Sequence, residues 1–236
     1  MSLSMYYIQE NVVVKTALSS YNVLVHILIG MIVGVSLLFG VTKNYNATSV
    51  PEDIILLHIL LCVPGFTLLM SESIMAMTSY NAWSSILSKT NKRRAHWVIQ
   101  ILASGLGLTG SIIIMSYNDV NFNTSHGQFG LVTLIFTVVN MTLGVASLFS
   151  HKLRRFIPPI LFKIAHIVLG IITYVSACTC LCLAFNKDMF KIWTNESVAV
   201  GVIIIISCVT FLVLINPFTT LCKKIIKIIK VRSENR

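Results

Sequence analysis

Residues 54–76 read IILLHILLCVPGFTLLMSESIMA, and this stretch decides the class of fold. Its only charged side chain is Glu72, and an apolar run of this length is enough to cross the hydrocarbon core of a bilayer. Five similar runs flank it, at about residues 22–42, 96–116, 128–149, 161–185 and 198–221. The sequence therefore predicts an all-α membrane protein with six transmembrane helices, and short connections make consecutive helices antiparallel neighbours.

The composition agrees with a membrane protein that has no separate soluble domain. Of the 236 residues, 56% are hydrophobic and 11% are charged, and the mean hydropathy is +0.84. Soluble domains carry about 25% charged residues. We expect an N-terminal segment 1–21, a six-span domain 22–221 and a basic tail 222–236. The first span should serve as the insertion signal, since no cleavage pattern follows it. No nucleic-acid partner is expected.

The distribution of charge and of glycosylation sequons predicts the orientation. Six spans place both termini, the 2–3 loop and the 4–5 loop on one side, which holds fifteen lysines and arginines; the other side holds only Lys43, Lys187 and Lys191. Positive residues accumulate on the cytosolic side of membrane proteins, so both termini are expected in the cytosol. The sequons at Asn46, Asn123 and Asn195 all fall on the opposite side, as glycosylation requires.

Four of the six histidines recur at similar places in successive spans. His58 lies in the first turns of span two, His96 opens span three, His126 directly precedes span four, and His166 lies in the first turns of span five. Because neighbouring helices run in opposite directions, His58 and His126 should lie near the outer face, and His96 and His166 near the inner face. A histidine inside a bilayer is costly, so such a residue indicates a function.

Two imidazoles on facing helices are what a six-coordinate haem requires. Zinc or copper is less suitable, because two histidines without a further ligand are too few for a closed site. Two other hypotheses remain open: proton or ion transport through the histidines and Glu72, and a structural, membrane-organising protein without a cofactor. Glu72 is expected to stand alone, and His26 and His151 are interpreted as interfacial polar residues, with His151 the one substitute ligand on the inner side.

The cysteines point to packing rather than to metal binding. Five of the six lie inside apolar spans, and Cys222 lies at the inner end of the last one. A buried cysteine usually behaves as a small polarisable packing residue. No C-x-x-C-H motif occurs, so any haem would be held without covalent links.

At these residues the chain resembles the cytochrome b561 family, in its short branch of b561 domain-containing proteins. The resemblance covers about residues 20–222 and rests on an ordered set of segments: LLHIL around His58, MSES at 70–73, RAHWVIQ at 94–100, SHGQFG at 125–130 and KIAH at 163–166. It differs from many members at Ile59, where proline often follows the histidine.

The resemblance implies a transmembrane oxidoreductase whose central four-helix bundle, spans 2–5, binds two haems b. By matching motif, His58 and His126 would ligate the outer haem and His96 and His166 the inner haem. Members of the family pass electrons from cytosolic ascorbate to monodehydroascorbate or a ferric chelate across the membrane, so ascorbate-dependent reductase activity is expected here. The resemblance also implies a homodimer as an expectation.

Basic residues beside the inner histidines predict where an anionic donor docks. Lys92, Arg94 and Lys163 are the candidates, because an ascorbate anion needs an electropositive site close to His96 and His166. The same charges would also serve to set the topology. The tail KKIIKIIK at 223–230 is interpreted as an interfacial helix that binds anionic membrane lipid.

Overall fold

The computed structural model describes residues 3–42, 50–78, 81–152, 154–155 and 158–234, and only the backbone of residues 3–11, 231, 232 and 234. Apart from turns, these ranges are helical and contain no strand. The elements are α1 (Leu3–Thr42), α2 (Glu52–Cys62), a π-helix (Val63–Leu69), α3 (Met70–Met75), α4 (Lys89–Tyr117), α5 (Ser125–Leu148), α6 (Pro159–Phe185), α7 (Asp188–Trp193) and α8 (Glu196–Glu234).

Six stretches in the described part of the chain are long and apolar enough to cross a membrane. They are Val12–Thr42, Glu52–Met75, Lys89–Tyr117, Ser125–Leu148, Pro159–Phe185 and Glu196–Lys230. The prediction of an all-α membrane protein with six spans is therefore confirmed. The expected segment boundaries at 21/22 and 221/222 fall inside the continuous helices α1 and α8. That division, and the interfacial placement of the tail, stay predictions.

Two histidines lie deeper in their helices than the sequence predicted. α4 begins at Lys89, so His96 does not open span three but lies two turns inside it; α5 begins at Ser125, so His126 lies within its first turn. Side-chain caps explain both starts, because Ser88 and Thr124 accept hydrogen bonds from backbone N–H groups two or three residues into each helix. The basic residues that open α4 are good helix formers and need no apolar surroundings.

Span two contains a π-helix at its centre, around Pro64 and Gly65. Proline has no backbone N–H, so the regular hydrogen-bond ladder is interrupted, and the backbone N–H of Met70 bonds to Gly65 O, five residues back. The span nevertheless continues from Glu52 to Met75. The widened turn separates His58 in the N-terminal half of the span from the MSES segment in its C-terminal half.

Close helix contact between span two and α4 depends on glycine. A Cβ atom added to Gly65 would lie 2.8 Å from Ala103 O and 2.8 Å from Gly107 N, and one added to Gly110 would lie 2.8 Å from Cys62 Sγ. Gly107 and Gly110 of α4 thus permit the close approach of the two helices. At Gly105 an added Cβ would meet nothing within 4 Å.

The four central spans form two helical hairpins. Hairpin A consists of span two (Glu52–Met75) and α4, and hairpin B consists of α5 and α6; contacts within each hairpin are far more extensive than contacts between α4 and α5. α1 and α8 pack on this bundle, with Tyr21 donating a hydrogen bond to Leu212 O. The histidines face each other across the boundary between the two hairpins.

Candidate functional site

Each histidine pair joins the two hairpins. The ring centroids of His58 and His126 are 6.3 Å apart with an interplanar angle of 89°, and those of His96 and His166 are 6.2 Å apart at 81°. His58 and His96 belong to hairpin A, whereas His126 and His166 belong to hairpin B. The structure thus brings together the pairs that sequence reasoning proposed.

All four histidines bond through Nδ1 to a backbone carbonyl of the other helix in the same hairpin. In hairpin A, His58 Nδ1 lies 3.0 Å from Gly110 O and His96 Nδ1 lies 2.8 Å from Ser73 O. A carbonyl oxygen only accepts, so Nδ1 must carry the proton. The opposite nitrogen, Nε2, is then the basic atom of each ring.

Hairpin B repeats the arrangement. His126 Nδ1 lies 2.9 Å from Cys180 O, and His166 Nδ1 lies 3.3 Å from Asn140 O. Gly144 leaves room for the second ring, since a Cβ there would lie 3.2 Å from His166 Cε1. A metal-ligating histidine typically donates its second ring nitrogen to a carbonyl in this way, which sets the tautomer and the ring orientation.

The spacing of the pairs fits two axial ligands of one iron. Two imidazole nitrogens on opposite sides of an iron, each about 2 Å from it as in other metal–imidazole bonds, place the ring centroids roughly 6 Å apart. Among the described residues, no group of three or more His, Cys, Asp or Glu side chains could hold a metal ion. The donor set therefore fits a haem better than a closed zinc site.

Two thiols accompany the outer pair. Cys62 Sγ lies 3.5 Å from His58 Nδ1, and Cys180 Sγ lies 3.4 Å from His126 Nδ1. All six cysteines are free thiols. These two contact the histidines on the side that bonds to the carbonyls, so they pack against the rings, in line with the expected packing role.

Lys187, which sequence reasoning only counted among the outer lysines, lies beside the outer pair. It follows the end of α6, and its positive charge acts on both His58 and His126. Partial burial of the ammonium lowers the pKa of Lys187 below its ordinary value. A lysine immediately after an apolar span was the signal that could have identified it.

Three helices contribute to one positive cluster at the end of the bundle opposite Lys187. We call this end of the bundle the basic face. Lys224 of α8 is within electrostatic range of Lys163 of α6 and Arg93 of α4. Of these three residues, Lys163 was predicted to dock the anionic donor. Arg93 was only counted among the fifteen basic residues of that side, and Lys224 was assigned to the lipid-binding tail. Their proximity depends on helix packing, which no local motif records.

The other two predicted docking residues make local contacts. The Lys92 ammonium donates a hydrogen bond to Thr78 O, and the residue is almost buried. An Arg94 guanidinium nitrogen lies 3.5 Å from Asn91 Oδ1, on an exposed helix surface. Lys92 therefore stabilises the turn after span two, and a docking role for either residue stays a prediction.

The expectation that Glu72 stands alone is wrong. His26 Nδ1 lies 2.5 Å from Glu72 Oε1, and His26 Nε2 lies 3.2 Å from Asn81 Oδ1. Trp83 Nε1 donates to Glu72 Oε2 at 2.8 Å. Span one, span two and the following loop build this network together, so no single stretch of sequence contains it. His151 is exposed and no contact joins it to the inner pair.

Comparisons with known proteins cover the same part of the chain. The family model described as eukaryotic cytochrome b561 matches residues 57–191, which include all four paired histidines. The chain is 26% identical over 148 residues to the mouse (Mus musculus) transmembrane reductase CYB561D2, covering 61% of this chain and 64% of that protein. It is 27% identical over 145 residues to the human (Homo sapiens) protein of that name, covering 60% and 63%. The chain thus spans somewhat less than two thirds of these relatives.

Proposed function

The chain belongs to the eukaryotic cytochrome b561 family, a haem-binding family of membrane proteins, and from that premise we propose that it carries electrons across a membrane between two haems b. It is a multi-pass membrane protein, and the relatives named transmembrane reductases support the proposal that it is an oxidoreductase. The proposal adds the number of haems, the ligands, the electron donor and the acceptor. The observation that carries it is the pair of matched histidine contacts, at 6.3 Å and 6.2 Å, on two levels of one bundle.

In this proposal His58 and His126 hold the outer haem, and His96 and His166 hold the inner haem. A bis-histidine haem supplies a one-electron redox centre without an open coordination position. The chain's contribution is to present four Nε2 atoms in pairs, with each ring orientation set by a carbonyl of the partner helix. Because each pair spans the boundary between hairpins A and B, both hairpins must dock before either site is complete.

Two sites at different depths suit a bilayer. The hydrocarbon core is about 30 Å thick, which is too far for one electron step, and ligands one or two turns inside each face divide that distance.

We place the basic face in the cytosol and assign it to ascorbate. Arg93, Lys163 and Lys224 repel one another, and binding of an anion relieves that repulsion. Lys92 and Arg94 are retained as candidate docking residues close to His96. The positive-inside distribution of charge supports the same orientation, with both termini in the cytosol. The acceptor on the other face would be monodehydroascorbate or a ferric chelate.

The direct test is the absorbance spectrum of the purified, detergent-solubilised chain, oxidised and then reduced with ascorbate. We expect a low-spin b-type spectrum with close to two haems per chain. His58→Leu and His96→Leu should each remove about one haem, whereas His151→Leu, which alters a histidine outside both pairs, should remove none. A purified chain without a reducible b-type band would overturn the proposal.

The contact between His26 and Glu72 favours a second candidate, a proton-coupled transporter. The same preparation separates the two functions, because a transporter of that kind needs no haem. Proton flux across proteoliposomes by a chain without haem would support the transporter and contradict electron transfer.

A further inference from the structure

The contact between His26 and Glu72 lies outside both histidine pairs but close to the inner one. Glu72 belongs to α3, and the next residue, Ser73, is hydrogen-bonded to His96: Nδ1 lies 2.8 Å from Ser73 O and 2.9 Å from Ser73 Oγ. A change of charge at Glu72 therefore occurs one residue away from the groups that orient an inner ligand.

The hydrogen bonds show that this pair holds a proton. Asn81 Oδ1 accepts from the backbone N–H of Trp83 at 3.3 Å, which sets the orientation of the amide. Because that oxygen also faces His26 Nε2, Nε2 must carry a hydrogen. The other ring nitrogen, Nδ1, lies 2.5 Å from Glu72 Oε1. The lone pairs of these two atoms would repel each other at this distance, so a second proton lies between the nitrogen and the oxygen.

The pair is partly accessible. The side chains of His26 and Glu72 are 21% and 18% exposed, and the indole of Trp83, which bonds to the second Glu72 oxygen, lies in the loop on the basic face. Because the bonding partners Asn81 and Trp83 lie in the loop that follows span two, we place the exchange of this proton with water on the basic face.

The other titratable groups near the pair have different partners. On α1, Tyr21 donates to Leu212 O; on α6, Tyr174 bonds to Ser71 Oγ; on α4, Lys92 donates to Thr78 O. From α8, Lys224 interacts with Lys163, Arg93 and Lys227. Among the described residues, Glu72 is the one charged group whose field acts on His26.

We propose that His26 and Glu72 form a redox-linked proton-binding site of the inner haem. The inference rests on the proposed function. An ascorbate monoanion that gives up one electron also gives up its remaining hydroxyl proton and becomes monodehydroascorbate. The electron enters the inner site, and the proton binds between His26 and Glu72, which lack it before the electron arrives; the hydrogen bonds described above are those of the pair after the proton has bound. When the electron moves on to the outer site, the proton returns to water on the basic face, so neither charge accumulates.

The test is electrochemical titration of the purified protein with both haems bound, at a series of pH values, which yields two haem potentials at each pH. Between pH 6 and 8 (roughly the range in which histidine titrates), one of the two potentials should fall with rising pH in the unmodified protein. Glu72→Gln and His26→Gln should each remove this slope and leave the other potential unchanged. Glu196→Gln is the matched control, because it removes an equal charge from an ion pair with Lys191 at 3.1 Å, far from Glu72; it should retain the slope.

The outcomes separate this inference from the function on which it rests. Two haems reducible by ascorbate, with the same slope in Glu72→Gln and in the unmodified chain, would overturn the proton site and leave the proposed function standing. Absence of any slope in the unmodified protein would also overturn it, even if both variants failed to bind haem. A chain without reducible haem would refute both proposals. If Glu72→Gln loses its haems and His26→Gln keeps them, the pH dependence of the haem potential in His26→Gln decides whether the proton site stands.

Discussion

The substitution Gly65→Ala tests whether the packing of hairpin A supports both histidine sites. The new Cβ would lie 2.8 Å from Ala103 O, 2.8 Å from Gly107 N and 3.2 Å from Gly107 Cα, all of them backbone atoms. Ordinary contacts of this kind are about 3.5–4.0 Å. Span two and α4 must therefore move apart by roughly 0.5–1 Å, because no side chain can rotate out of the way.

The separation of the two helices lowers the free energy of unfolding. Overpacking of this kind costs about 1–3 kcal/mol, and the higher helix propensity of alanine returns about 1 kcal/mol. The net loss is therefore on the order of 0–2 kcal/mol, and the difference from a Gly→Ala substitution without overpacking is about 1–3 kcal/mol. The 3.0 Å bond from His58 Nδ1 to Gly110 O would also lengthen to about 3.5 Å, beyond the normal range.

The assay is thermal unfolding in detergent by circular dichroism, together with haem content after purification. At about 2–4 °C per kcal/mol for a chain of this size, Tm should fall by up to roughly 8 °C and lie about 2–12 °C below that of the control, and haem should be lost from the outer site first. Gly105→Ala is the control, because it is the same substitution on α4, where an added Cβ meets nothing within 4 Å. Equal stability and haem content in the two variants would show that this contact does not support the sites.

Three further predictions concern charges and hydrogen bonds around the pairs. Lys187→Gln should lower the potential of the outer haem, whereas Lys191→Gln should leave it unchanged. In the unmodified protein and in Lys191→Gln that potential should fall at alkaline pH as Lys187, whose pKa is lowered by burial, loses its charge, and Lys187→Gln should remove this fall. Lys163→Gln combined with Lys224→Gln should raise KM for ascorbate about 2–5-fold at low salt, and the difference should shrink at high ionic strength. Ser73→Ala should retain the inner haem, since Ser73 O still accepts from the ligand, but should lower Tm by about 2–4 °C for a hydrogen bond worth about 1 kcal/mol. The first prediction is checked by redox titration, the second by steady-state kinetics at two salt concentrations, and the third by circular dichroism.

The sequence was sufficient for the spans and for the histidine pairs. A bilayer demands long apolar helices with internally satisfied backbones, so length and hydropathy identify them directly. Short loops then force antiparallel neighbours, which places His58 with His126 and His96 with His166 at two depths. The helix starts were less accurate, because the caps at Ser88 and Thr124 and the basic first turn of α4 extend the helices beyond their apolar parts.

Interactions between distant segments could not be predicted in this way. His26 and Glu72 are 46 residues apart, and Lys224 reaches Arg93 and Lys163 only because α8 packs beside α4 and α6. Hydropathy reports which side chains avoid water, but it does not report how each helix is rotated about its axis. The π-helix at Val63–Leu69 also changes that rotation within span two.

Features that depend on the bilayer and on neighbours along the chain can be derived from the sequence, whereas contacts between distant segments cannot. The sequence by itself determined six spans, their alternation and two levels of paired histidines, because these depend on the bilayer and on neighbours along the chain. Only the tertiary structure decided that each paired histidine is oriented by a carbonyl of its own hairpin, and that Glu72 lies against His26. Hydrogen bonds act over about 3 Å, so they depend on helix rotation and packing that no local pattern encodes.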